Sequence, residues 1–159
     1  MNEPSLHVVL HQPEIPPNTG NVGRLCVAVG ARLHVVHPIG FSMGAKAVRR
    51  AGLDYWRHVD LLEHADTAAF FDWVAGRRLH LFSARGGRSY RACRFAPGDV
   101  LMFGSEGSGL PADLVAAHDA YQIPMAPGPI RSLNLANSVS VVVYGALEQI
   151  QPPWFGPDA

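Results

Sequence analysis

The chain alternates between two hydrophobic rhythms, and that alternation constrains its fold more than any other feature. Short apolar or β-branched runs at 6–10, 33–37, 79–83, 100–103 and 121–124 have the length of buried strands. Between them lie stretches with helical spacing, at 20–30, 45–52, 66–74, 111–117 and 134–150. The stripe of the first is Val22, Leu25, Cys26 and Val29, so Cys26 reads as a small core hydrophobe. Pro38 stops the second strand and Gly76 ends the third helix. Pro111 opens the fourth helix, where a missing N–H costs little. Strands alternating with helices predict an α/β fold with a mainly parallel sheet and helices on both faces. Such sheets bind ligands beyond the carboxyl ends of their strands, at a switch point. With no repeats and no linker, one domain over 1–150 is expected, followed by a tail at 151–159 that reads as a frayed end or a contact arm.

Composition narrows the class. Of 159 residues, 48% are apolar and only 16% charged, which excludes disorder for most of the chain. No apolar run reaches the roughly 18 residues of a membrane span. The first residues lack the basic patch and apolar core of a signal peptide. Cys26 and Cys93 alone make neither a disulfide framework nor a zinc site. A reduced, cytoplasmic protein without metal or membrane contact is expected. Lys+Arg and Asp+Glu balance at 13 each, which at first argues against a nucleic-acid partner. The eight histidines read as half-buried or surface residues rather than ligands.

Three segments could carry chemistry. In Asn18-Thr19-Gly20-Asn21-Val22-Gly23-Arg24, Asn18 is placed to cap the first helix and Gly20 permits a close backbone approach. Arg24 lies about one and a half turns further on; the plain alternative is a capped helix with a surface arginine. The second segment, 101–111, runs from a strand into a loop holding Gly104, Gly107 and Gly109 around one carboxylate, Glu106. No Lys-Ser/Thr follows, so it is no P-loop. A carboxylate suits a ligand with hydroxyls or positive charge better than a phosphate. The third segment is Ile123-Pro124-Met125, then Arg131-Ser132-Leu133-Asn134, leading into the longest helix. Ser132 or Asn134 could cap it, yet the polar density exceeds what one cap needs.

In this order the segments resemble the SPOUT superfamily of RNA methyltransferases, and within it the TrmL-like family that 2′-O-methylates the wobble nucleotide of tRNA. The match runs through 12–21, 49–55, 101–111 and 123–144, and covers about 6–150. Departures stand at Gly23, Ser105, Gly107 and Ser108. The resemblance implies a C-terminal trefoil knot, a homodimer with its site near the subunit interface, and S-adenosyl-L-methionine as cofactor. It implies a cofactor pocket of Phe82, Ser83, Gly104, Glu106, Gly107, Ile123, Met125, Ser132 and Leu133. Ile123, Met125 and Leu133 would wall the adenine; Glu106 would meet the cofactor's positive charge or its ribose. The reaction implied is methyl transfer to the 2′-hydroxyl of cytidine or uridine 34. Arg24 would activate that hydroxyl, helped by Asn18, Ser132 and Asn134. A guanidinium with a pKa above about 12 rarely yields a proton, so stabilising an alkoxide or gripping a phosphate is the alternative role. Two other readings remain: a SPOUT enzyme for another RNA such as rRNA, and a non-catalytic nucleotide-binding module.

The resemblance sends the reading back to the charge. Residues 73–98 hold six arginines and no acid, and Arg49, Arg50 and Arg57 cluster near Lys46. A solvated face would explain this, but a phosphate-tracking surface fits an RNA partner. Arg49, Arg50, Arg57, Arg85 and Arg88 are the expected contacts to a tRNA anticodon loop.

Overall fold

The computed structural model describes residues 3–44, 46, 48, 50 and 53–156. Arg49 and much of the expected 45–52 helix lie outside the described residues. Seven strands form one sheet in the order β3-β2-β1-β6-β4-β7-β5. They are β1 (His7–His11), β2 (Arg32–Val36), β3 (Leu61–His64), β4 (Leu79–Phe82), β5 (Arg88–Ser89), β6 (Val100–Phe103) and β7 (Ala120–Gln122). Every pairing between them is parallel. The central strands β1 and β6 are buried at every position, which is why they read as unbroken apolar runs. The expected runs meet β1, β2, β4, β6 and β7 within a few residues. The edge strand β5 and the edge strand β3 were not anticipated, because half-exposed edges carry no apolar run.

Alternating side chains feed two cores. Val8, Leu10, Leu33, Val35, Leu101 and Phe103 point to one face and pack with helices α1 (Pro16–Val29) and α4 (Leu135–Ile150). Val9, Val36, Val100 and Met102 point to the other, under α2 (Thr67–Val74) and α3 (Ala112–Ala117). The mainly parallel α/β sheet with helices on both faces is therefore as expected. Cys26 is buried in the first core, where desolvation pushes its thiol up to about 12 and leaves it inert. Phe155 of the tail packs on the same core beside Tyr144, their ring centroids 6.4 Å apart.

Two expectations need correction. Helix α1 begins at Pro16, not at residue 20, and its N-cap is Ile15 with no side-chain hydrogen bond. Pro16 and Pro17 fill the first helical positions, where no N–H is needed. Asn18 is thus not a cap; it sits buried in the first turn. Nor are the histidines mostly peripheral: His7, His11, His34, His64 and His80 are all buried. The choice between Ser132 and Asn134 is resolved, since the Asn134 side chain accepts from Asn137 N–H at 3.2 Å and caps α4.

Sequence runs β1, β2, β3 toward one edge, then returns to fill the other side of β1. The switch point falls between β1 and β6. The loops leaving these two strands are the first segment's approach and the glycine loop, so the fold brings them together.

Candidate functional site

A cavity of about 540 Å³ opens at this switch point. Phe82 and Ser83 leave β4, Phe103 and Gly104 leave β6, and Ile123 and Met125 follow β7. Ser132, Leu133 and Asn134 come from the approach to α4, and Asn18 from the start of α1. All nine residues expected to hold a cofactor line the cavity, with Glu106 and Gly107 on the glycine loop. Phe82 stacks on Phe103 at 5.1 Å to form an apolar floor. Phe103, beside Gly104, also lines the cavity, as do Arg131 and Ser138 of the third segment; Ile15 does too and was not singled out.

The loop's shape follows from its glycines. A Cβ on Gly104 would stand 2.2 Å from the backbone of Gly109 and Leu110, so only glycine lets the loop fold back on itself. Gly109 takes φ +66° and its N–H donates to Ser105 C=O at 2.9 Å. Arg85 donates to Leu110 C=O at 2.6 Å and fastens the loop's end.

A chain of side chains ties three loops together. The Glu106 carboxylate accepts from Glu14 N–H at 2.7 Å, Ile15 N–H at 3.2 Å and the Asn18 amide at 3.3 Å. In return the Glu14 carboxylate accepts from Gly107 N–H at 3.3 Å. A carboxylate beside the free N–H groups that open a helix is electrostatically favourable. Asn18 Oδ1 then accepts from Asn134 Nδ2 at 3.1 Å. Glu106 lines the cavity, yet it gives its oxygens to protein donors at the entry to α1.

The arginines divide. Arg24 is exposed and outside the cavity, with its guanidinium 5.3 Å from the centre of the Tyr55 ring. Arg88 stacks on Tyr121 and donates to its hydroxyl at 3.2 Å. Arg57 is exposed and donates to His58 at 3.2 Å; Arg50 is exposed. So Asn18, Ser132 and Asn134 meet at the cavity, and Arg24 of the same chain does not join them.

Elsewhere, three imidazoles cross β1, β2 and β3 beneath α2. His7 Nδ1 and His34 Nε2 share a hydrogen bond of 2.9 Å, and His34 Nδ1 and His64 Nε2 one of 3.0 Å. The Trp73 ring lies 5.1, 4.4 and 5.6 Å from the three ring centres, with Arg77 on its own face at 4.5 Å. Burial pushes His7 down to about 4, with Arg77 and Arg32 adding to the effect, and His34 down to about 2. His7 and His11 have the four-residue spacing of helical metal ligands, but on a strand it places them about 13 Å apart. Among the described residues no group of His, Cys, Asp or Glu is arranged to hold a metal ion. No described helix is long and apolar enough to cross a membrane.

Known proteins resemble this chain over most of its length. The SpoU rRNA Methylase family matches residues 5–144. A curated tRNA (cytidine(34)-2'-O)-methyltransferase of Escherichia coli strain K12 is 46% identical over 151 residues, 93% of this chain and 96% of that one. The protein of the same name from Polaromonas is 48% identical over 149 residues, covering 90% of each chain. A solved structure concerned with 2-OH methylation of C/U34 on tRNA superposes with a TM-score of 0.88 at 49% identity, over 93% of this chain and 97% of the other. An AdoMet-bound rRNA methyltransferase from Sinorhizobium meliloti reaches 0.83 at 26% identity, over 92% of this chain but 57% of its own.

Proposed function

The chain belongs to the SpoU rRNA methylase family, and from that premise we propose that it transfers a methyl group from S-adenosyl-L-methionine to the ribose 2′-hydroxyl of cytidine or uridine 34 in tRNA. The observation that carries the reading is the cavity at the β1/β6 switch point, where three loops distant in sequence converge with asparagines pinned in place. Near-complete coverage of the tRNA enzymes supports a tRNA substrate over an rRNA one, since the rRNA enzyme is much longer than this chain.

The donor set fits the cofactor. Phe82, Ile123, Met125 and Leu133 offer apolar walls for a purine, and Ser83, Ser132 and the loop backbone offer hydrogen bonds for a ribose and an amino-acid tail. When bound, the cofactor supplies an electrophilic methyl group. The protein's part is to place a 2′-hydroxyl in line and manage its proton. Asn18 and Asn134 fix each other's amides, and Ser132 stands at the mouth to bond an incoming ribose. A guanidinium rarely yields a proton, so the role we assign Arg24 is to stabilise the developing alkoxide or hold the adjacent phosphate.

Because Arg24 lies outside its own chain's cavity, the working unit is a homodimer in which the second copy presents Arg24 at the mouth. Val141 and Tyr144, exposed on α4, offer an apolar face for that contact. The domain over 1–150, its trefoil knot, a cytoplasmic location, and RNA contacts at Arg49, Arg50, Arg57, Arg85 and Arg88 complete the proposal. The test is transfer of a tritiated methyl group to bulk tRNA, followed by nuclease mapping. Label in a 2′-O-methylated nucleotide at position 34 is expected; cofactor binding without incorporation into any RNA overturns it.

A further inference from the structure

One contact orders the environment of Arg24. A Cβ on Gly23 would stand 2.5 Å from Trp56 Cζ3 and 3.1 Å from Cε3, and 3.3 Å from Val59 Cγ2. Only glycine at 23 therefore admits the Trp56 ring against α1. The two-turn 3₁₀ segment Leu53–His58 is thereby seated on the helix at the residue before Arg24. Trp56 packs half-buried on the first core, and its neighbour Tyr55 is left 46% exposed. That seating puts the Tyr55 ring under the Arg24 guanidinium, 5.3 Å from ring centre to Cζ. Among the described residues, the Tyr55 ring is the partner found for the Arg24 guanidinium.

We propose that Tyr55 is a positioning residue for Arg24: its ring fixes the plane of the guanidinium and leaves the N–H edges free for an RNA phosphate or a developing 2′-alkoxide. An unrestrained surface arginine samples many rotamers, and each must be given up when it binds. A ring under one face removes that freedom in advance without occupying a donor. The proposal rests on the reading of Arg24 as a group that acts on RNA. It also accounts for glycine at position 23, where any Cβ would meet the Trp56 ring.

A double-mutant cycle at positions 24 and 55 tests it, read as single-turnover methyl-transfer rate with cofactor affinity measured alongside. Tyr55→Phe keeps the aromatic face and is expected to retain the rate within about two-fold. Tyr55→Leu is expected to lower it about two- to five-fold, the size of an exposed cation–π contact, with cofactor affinity unchanged. In an Arg24→Lys background, where no planar guanidinium remains, the leucine is expected to cost nothing further. An equal loss on both backgrounds overturns the proposal. A second readout needs no activity: the Arg24 Nε–Hε resonance should carry a ring-current shift that survives Tyr55→Phe and vanishes in Tyr55→Leu. An Arg24 resonance unmoved by Tyr55→Leu overturns the proposal as well. If Arg24→Ala leaves methyl transfer intact, the assignment of Arg24 to RNA fails instead, and Tyr55 positions it for nothing.

Discussion

Two hydrogen-bonded chains of polar side chains join separate elements of this fold, and they are built on opposite terms. Glu106, Asn18 and Asn134 form the first, at the carboxyl ends of the strands beside an open cavity. His7, His34 and His64 form the second, sealed between the sheet and Trp73. In the first chain each atom has a fixed role, since a carboxylate only accepts and an amide has one donor end and one acceptor end. In the second chain both links can reverse together, because a neutral imidazole donates from either nitrogen. Fixed donors next to solvent can orient a ligand. Reversible donors in a dry box can only satisfy each other, so that chain contributes to stability and leaves chemistry to the other.

The comparison breaks or sharpens at three points. The largest effect is acid sensitivity. His7 and His34 titrate below their ordinary 6.5 in the folded chain, at about 4 and about 2, so the unfolded chain binds more protons as pH falls. Their stabilisation is complete above about pH 6.5 and is lost progressively below it. Between pH 6.5 and 4.5 the loss is on the order of 3–5 kcal/mol, a large part of a domain's total. Denaturant unfolding across that range checks it; a flat profile would mean the imidazoles are already charged or wet.

The next effect belongs to the open chain. Asn18→Ala removes the link between Glu106 and Asn134 and should lower the methyl-transfer rate on the order of 10²-fold through misplacement. Its acid profile should match that of the unaltered protein. A large change in acid stability, with the rate preserved, would merge the two chains into one role. The smallest effect is Trp73→Leu. Opening the lid should cost about 1 kcal/mol at neutral pH, the size of its ring contacts. It should also flatten the acid profile, as water reaches the imidazoles and returns their pKa toward 6.5. Melting at pH 7.5 and pH 5 separates the two terms.

What could be read in advance followed from burial and locality. β1 and β6 announce themselves because both their faces are covered. β5 spans two residues, Arg88–Ser89, and no periodicity exists in so short a piece. Helix α1 was placed late because Asn18 and Gly20 look like a helix start, while Pro16 and Pro17 look like a loop until their place at the first turn is seen. The cofactor residues were legible as three separate segments, and the switch point joined them. The clasp from Glu106 to Glu14 joins residues 92 apart, and the imidazole links join residues 27 and 30 apart. No local pattern predicts such pairings. The arginine-rich stretch was half legible: Arg77 lies on Trp73, Arg78 on Asp99, and Arg85 and Arg88 on loop and ring, so much of that charge also holds the fold.

Asn134 uses both ends of one amide, Oδ1 to cap α4 and Nδ2 to hold Asn18. Aspartate, one base change away, would keep the cap and turn the donor into an acceptor facing another acceptor. Serine or threonine would keep the cap and fall short of Asn18. Each of these three changes would therefore leave a capped helix with a loosened site, a loss that selection on folding alone would barely notice.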